Sequence, residues 1–219
     1  IGVRLVGSEM CIRDRFSGIF TSKAKAAESG KKYTFEGTEL EAAAAGKYTD
    51  GQAVTAGTDG YFTFYMSAKT KIDSSDKTWE DGYACKQRVN FGGKADVANM
   101  KNLVSFKTSN AAKVKVYWVE GGTDNRQMAI FGSTGDVVTK TEVTAAKNDP
   151  VVSTLELADA GTYYLGGLEN NNYIFKIEVE ETAAVEEPVV KEYELDGAKL
   201  ETAAAGKFTD GQTVAAGTD

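Results

Sequence analysis

Four stretches of this chain change polarity at every residue, and a period of two leaves few architectures open. In Tyr61–Ser67 (YFTFYMS), Phe62, Phe64 and Met66 share one face while Tyr61, Thr63 and Tyr65 share the other. In Lys113–Val119 (KVKVYWV), Val114, Val116 and Trp118 oppose Lys113, Lys115 and Tyr117; in Lys86–Gly93, Val89 and Phe91 oppose Lys86, Arg88 and Asn90. In Asn172–Val179, Tyr173, Phe175, Ile177 and Val179 oppose Ile174, Lys176 and Glu178. Alternation of this kind marks half-buried antiparallel strands, which must cover their apolar faces with a second sheet. Turn residues punctuate the strands: Gly92-Gly93, Gly121-Gly122, Ser133–Asp136 and Gly166-Gly167. One helix is predicted, over Leu40–Lys47 (LEAAAAGK), with Gly46 as its C-cap.

The expected fold is therefore all-β, an antiparallel β-sandwich of jelly-roll or immunoglobulin-like type with at most one short helix. Asp159-Ala160-Gly161-Thr162-Tyr163 resembles the D-x-G-x-Y corner of immunoglobulin-like sandwiches, whose tyrosine hydroxyl bonds back to nearby backbone. Leu165 stands where an antibody-type domain places its second cysteine, which disfavours a true antibody-type domain.

A repeat sets the domain limits. Tyr33–Asp59 and Tyr193–Asp219 align without gaps, identical at 18 of 27 positions and offset by 160 residues. That period is a whole domain rather than a solenoid unit. The expected layout is a sandwich module over 33–180 and linkers at 16–32 and 181–192. A second copy of the module begins at 193–219 and is cut short. The first fifteen residues carry no foldable pattern, and RLVGSEMCIRDR resembles the in-frame translation of a transposase-type sequencing adaptor, so 1–15 is set aside together with Cys11. Cys85 is then a lone cysteine with no internal disulfide partner. Tandem modules on linkers suit binding or display, where repeated weak sites gain avidity.

The chain has no histidine, which removes Ser-His-Asp and Cys-His nucleophile systems, His-ligated zinc and imidazole bases. Its acids lie in loops and linkers such as Glu80-Asp81 and Glu186-Glu187, without the paired arrangement that glycosidase chemistry needs, so no catalysis is expected. A net charge of −7 argues against a nucleic-acid partner, and no apolar run is long enough for a membrane helix. No cofactor is expected. Asp50-Gly51 and Asp59-Gly60 offer carboxylates to a structural calcium ion, but Asp-Gly pairs commonly just make turns.

The cations say more. Lys69, Lys71, Lys77, Lys86, Arg88 and Lys94 crowd one stretch of an acidic chain, and Arg126 follows a Gly-Gly turn. Such a patch suits a polyanionic sugar, because guanidinium grips carboxylate bidentately and ammonium acts as a point charge; the competing reading is a solvated face with local ion pairs. Trp79 in the polar string KTWEDG is expected to be an exposed sugar platform, Tyr117 an exposed neighbour, and the Asn171 amide a hydroxyl ligand. Trp118, in phase with Val114 and Val116, is expected in the core.

The strings SAKTKIDSS, EDGY, QRVNFGG, YWVEGGTDNRQMAI and GTYYLGG…NNNYIFKIEV, taken in order, resemble the carbohydrate-binding-type sandwich modules attached to pectate lyases and other secreted plant-cell-wall enzymes of gut and rumen bacteria. The resemblance implies a non-catalytic, extracellular or cell-surface module that binds a polysaccharide, with pectin a candidate, and is tethered to other domains. It also makes Lys69, Lys71 and Arg88 the natural uronate contacts. A spacer or adhesion repeat without a glycan site is the alternative.

Overall fold

The computed structural model describes residues 30–122, 126–142 and 149–183; the stretch read as adaptor, most of the two linkers and the start of the second copy lie outside the described residues. Twelve strands follow one another: β1 (Lys32–Glu36), β2 (Ala53–Ala56), β3 (Phe62–Tyr65), β4 (Lys71–Thr78), β5 (Ala84–Asn90), β6 (Leu103–Thr108), β7 (Ala112–Glu120), β8 (Met128–Phe131), β9 (Val137–Lys140), β10 (Pro150–Leu157), β11 (Gly161–Gly167) and β12 (Asn172–Glu181). They form two antiparallel sheets. The first runs β10-β7-β12-β5-β4, with β1 also paired to β12, and the second runs β2-β3-β6-β11-β8-β9. From β5 to β12 the chain switches sheets at nearly every connection, placing β5-β12-β7-β10 against β6-β11-β8-β9. Of the two sandwich types the sequence left open, this is the jelly roll.

The apolar faces meet as the alternation requires. Phe62, Phe64 and Met66 from β3 and the residue after it pack with Val114, Val116 and Trp118 of β7, all fully buried, and Phe35 lies 4.3 Å from Phe64 between ring centres. The Trp118 indole N–H donates to Ser153 Oγ at 3.0 Å. The Tyr163 hydroxyl donates to the Asp159 carbonyl at 2.8 Å, closing the expected corner although the fold is not an immunoglobulin one.

Three local expectations fail. Leu40–Lys47 forms no helix: Ala43 exchanges backbone hydrogen bonds with Ile72 at 2.9 and 3.0 Å, lying along the edge of β4. A helix of two turns is marginal alone, and here the sheet edge offers the same backbone groups better partners. In β12 a bulge between Ile174 and Lys176 inserts Phe175, so Ile174, Ile177 and Val179 face the core while Tyr173 and Phe175 face outward. The expected single face thus splits in two. Gly166-Gly167 ends strand β11 rather than turning; a Cβ on Gly166 would stand 2.7 Å from the Ala95 Cβ, so the glycine lets a crossing loop touch the sheet.

Candidate functional site

The loops after β3, β5, β7 and β11 meet at one end of the first sheet, and half of the predicted ligand residues, Lys69, Lys71, Arg126 and Asn171, sit there. Lys71 opposes Asn90 across β4 and β5, and Asn90 opposes Tyr173 across β5 and β12, so the three share one outward rung. Lys69 precedes β4 and packs on Gly92, where a Cβ would stand 2.6 Å from the Lys69 Cβ; Gly92 has φ 76°, which glycine alone adopts without strain. Lys94 lies two residues beyond. Lys69, Lys71 and Lys94 are exposed and make no salt bridge among the described residues, though Lys94, after the Asn99 hydrogen bonds and the charge of Lys101, helps hold the Asp96 carboxyl low.

An amide chain lies beneath them. Asn90 Oδ1 accepts from the Gly92 N–H at 3.0 Å and from Asn171 Nδ2 at 3.1 Å. The Asn171 carbonyl and Oδ1 in turn accept from Arg126 Nη1, each at 2.8 Å. The acceptors of both asparagines are engaged internally, leaving the Asn90 NH2 and three ammonium groups as the groups on offer. The end is rich in donors, the chemistry that holds an anion.

Several predicted ligands play other parts. Arg88 Nε reaches Asp73 Oδ1 at 2.6 Å and Nη2 reaches Oδ2 at 3.4 Å, while its guanidinium covers the Tyr173 ring at 3.9 Å. Asp73 therefore neutralises it and Tyr173 holds it flat. Arg126 is only 9% exposed and stacks over Gly122, so it orients Asn171 instead of reaching solvent. Lys86 is exposed but lies four residues from Asn90 along β5, about 13 Å away.

The aromatic platforms are the largest correction. Trp79 and Tyr117 are each 3% exposed. The β4–β5 hairpin folds its tip back across the outer face of the first sheet, and Trp79 packs edge-on against Tyr117 and Phe175 with ring centres 5.6 and 5.0 Å apart. The Trp79 indole donates to the Val151 carbonyl at 3.1 Å. Asp81 pins the tip: Oδ2 accepts from the Tyr117 hydroxyl at 2.7 Å and from Lys115 Nζ at 3.3 Å. The Tyr117 hydrogen bond, then that from the Tyr83 N–H, holds the Asp81 carboxyl below its ordinary range, and bonds to Tyr117 and Asp81 raise Lys115 despite partial burial. Below it, burial works against both charges of the Lys176–Glu178 pair at 2.9 Å, yet their mutual attraction wins: Lys176 is raised and Glu178 lowered.

No group of three or more acidic, cysteine or histidine side chains gathers among the described residues. Asp50 Oδ1 accepts from the Ala68 N–H at 3.0 Å and its Oδ2 lies 3.7 Å from Lys101, while Asp59 turns the chain with φ 52°. Beside Lys71, Ala42–Ala45 and the start of β4 line an open trough of about 680 Å³ that also takes in Asp73 and Ser74.

No family model and no curated protein matches the chain. Among solved structures it is similar to the C-terminal CBM6 of LamC, a marine laminarinase from Zobellia galactanivorans, at 13% identity and TM-score 0.33, covering 69% of this chain and 100% of that one. It is also similar to the CBM22-1 xylan-binding domain of Xyn10C from Paenibacillus barcinonensis, at 14% identity and TM-score 0.37, covering 73% and 99%.

Proposed function

We propose that this protein is a non-catalytic carbohydrate-binding module for acidic polysaccharide, with pectin or polygalacturonate the favoured ligand, secreted as part of a plant-cell-wall-degrading enzyme. The observation that carries the reading is the donor-rich loop end: exposed Lys69 and Lys71, without an ion pair among the described residues, and exposed Lys94 beside the Asn90 amide, on a chain of net charge −7. An exposed cation cluster on an acidic protein is the feature a uronate chain selects. The trough beside Lys71 extends that end along β4 and gives an extended chain a path. The absence of histidine removes imidazole chemistry, and Asp73 is committed to Arg88, so binding without turnover is the natural assignment. The reading carries tethering by linkers and a second copy of the module, which would raise avidity.

The test is affinity electrophoresis of the full chain through gels holding polygalacturonate, xylan, glucomannan or no polysaccharide. Retardation by polygalacturonate, relieved as salt rises above 0.1 M, is expected because exposed charges are screened over about 8–10 Å. Replacing Lys69, Lys71 and Lys94 together with alanine should abolish it while leaving the far-UV spectrum unchanged. Mobility unaffected by any polysaccharide would favour the second reading, a spacer or adhesion repeat, for which the burial of both tryptophans and the Asp73–Arg88 pair speak.

A further inference from the structure

Residues 33–59 lie across the rest of the module as an arm that touches both sheets. β1 pairs with β12 from Lys32↔Glu180 to Glu36↔Lys176, Ala43 pairs with Ile72 at the edge of β4, and β2 pairs with β3 from Ala53↔Tyr65 to Ala56↔Phe62. Phe35 is fully buried, Leu40 and Tyr48 nearly so, and Tyr33, Val54 and Ala56 pack against the same core. Gln87 Nε2 donates to the Gly37 and Leu40 carbonyls at 2.8 and 2.6 Å, and the Ala68 N–H donates to Asp50 Oδ1 at 3.0 Å. A Cβ on residue 37 would stand 2.3 Å from the Gln87 carbonyl oxygen, so this fastening needs glycine.

The sequence holds this arm twice. Gly37, Leu40, Ala43, Asp50, Val54 and Ala56 recur at the 160-residue offset as Gly197, Leu200, Ala203, Asp210, Val214 and Ala216. Of the nine positions that differ, only Phe35 and Tyr48 are buried, and they become Leu195 and Phe208, both apolar. The other seven change at exposed or half-buried sites, where the surface that receives the arm asks less of a side chain. Two exchanges weaken the second arm. Leu195 fills less of the core than Phe35, and Glu39, whose carboxylate accepts from the Glu36 and Gly57 N–H groups at 2.8 and 2.9 Å, becomes Lys199, which has no acceptor.

We infer that the body of the module, from Tyr61 to Glu181, takes either arm, and that 193–219 replaces 33–59 on the same chain when the first arm is displaced or damaged. The connection allows it. The Glu181 N–H at the end of β12 donates to the Lys31 carbonyl at 2.9 Å, so the chain leaves the module beside the point where its first arm enters. Lys191 is the counterpart of Lys31, and the nine residues Thr182–Val190 have only to close a loop between neighbouring strands about 5 Å apart. Closing so short a loop costs little and holds the second arm at an effective concentration on the order of millimolar, above that of any other copy in dilute solution. Phe35 and Glu39 keep the first arm in place while it is intact. The exchange involves neither the lysine end nor any glycan, so it stands or falls apart from the proposed function.

Thermal midpoints of full-chain variants test it. Phe35→Asp puts a carboxylate at a fully buried position and so expels the first arm. With the second arm taking its place, this variant should melt only about 5 °C below the parent, and Leu195→Asp alone should melt within about 1 °C of it. The two together should melt at least about 15 °C below, well beyond the sum of the single shifts. Adding Leu195→Phe to Phe35→Asp should raise the midpoint by about 3 °C, because the larger ring fills the space Phe35 left. The Phe35→Asp protein should sediment as a monomer, with a midpoint independent of its concentration. A Phe35→Asp protein as damaged as the double variant, or one indifferent to the residue at 195, overturns the proposal. A dimer whose midpoint climbs with concentration overturns it too, since the arm then comes from another chain.

Discussion

Trp79 is where two roles for one residue predict opposite results. As a sugar platform it would carry affinity and little stability; as the structure places it, it carries stability. Its indole lies within 5.6 Å, centre to centre, of Tyr117, Phe175 and Tyr83 and donates to Val151. Truncating a buried tryptophan to alanine costs about 3–5 kcal/mol, including about 1 kcal/mol for the hydrogen bond. The cluster lies under a hairpin rather than in the central core, so part of the loss is relieved by local collapse and about 3 kcal/mol is the better figure. For a module of this size that corresponds to a Tm lower by roughly 6–12 °C. Calorimetry of the full-chain Trp79→Ala protein measures it directly, with polysaccharide retardation recorded below the new Tm. Retardation should be unchanged. A Tm within about 2 °C of the parent together with lost retardation would refute the buried assignment and restore the platform.

Arg88→Ala removes a guanidinium clamped by Asp73 and stacked on Tyr173, and should lower stability by about 1–2 kcal/mol, read as a shift in the thermal midpoint. Asp73→Asn leaves that guanidinium without its counter-charge beside Lys71, so polygalacturonate retardation should strengthen; unchanged or weaker retardation would mean that Arg88 faces no ligand. The pH profile follows from the lowered carboxyls. Asp81 and Glu178, ordinarily titrating at 3.8 and 4.5, are held lower in the fold, so their stabilisation is complete above those values and is lost as pH falls below them. Lys176 is raised above 10.5, so its contribution is present below that pH and disappears as pH climbs past it. Thermal midpoints between pH 2.5 and 11.5 should show both flanks, and Asp81→Asn should shrink the acid one.

The strands were readable because alternation is a local property: Phe62, Phe64, Met66, Val114, Val116 and Trp118 each report their own face, and all are buried as their phase demands. The errors fall where a residue's neighbours come from elsewhere in the chain. Within KTWEDG everything around Trp79 is polar, and what buries it is Tyr117 and Phe175, distant in sequence and close only once the hairpin folds over. A signal did exist, since Tyr117 adds an outward aromatic to a strand already supplied with a core face, and a surplus of that kind needs a cover. The bulge at Phe175 left no such mark, because an inserted residue and a regular one are written the same way. Arg88 was misjudged for a related reason: its type suggested a ligand, while its role depends on Asp73 standing opposite in register. The exposure of Lys69, Lys71 and Lys94 is the easier thing to read, since an ammonium in a polar turn needs no distant partner to stay in water. Residue type is thus a fair guide to exposure for lysine and a poor one for arginine, tyrosine and tryptophan, which bring enough surface and enough donors to be claimed by the protein itself.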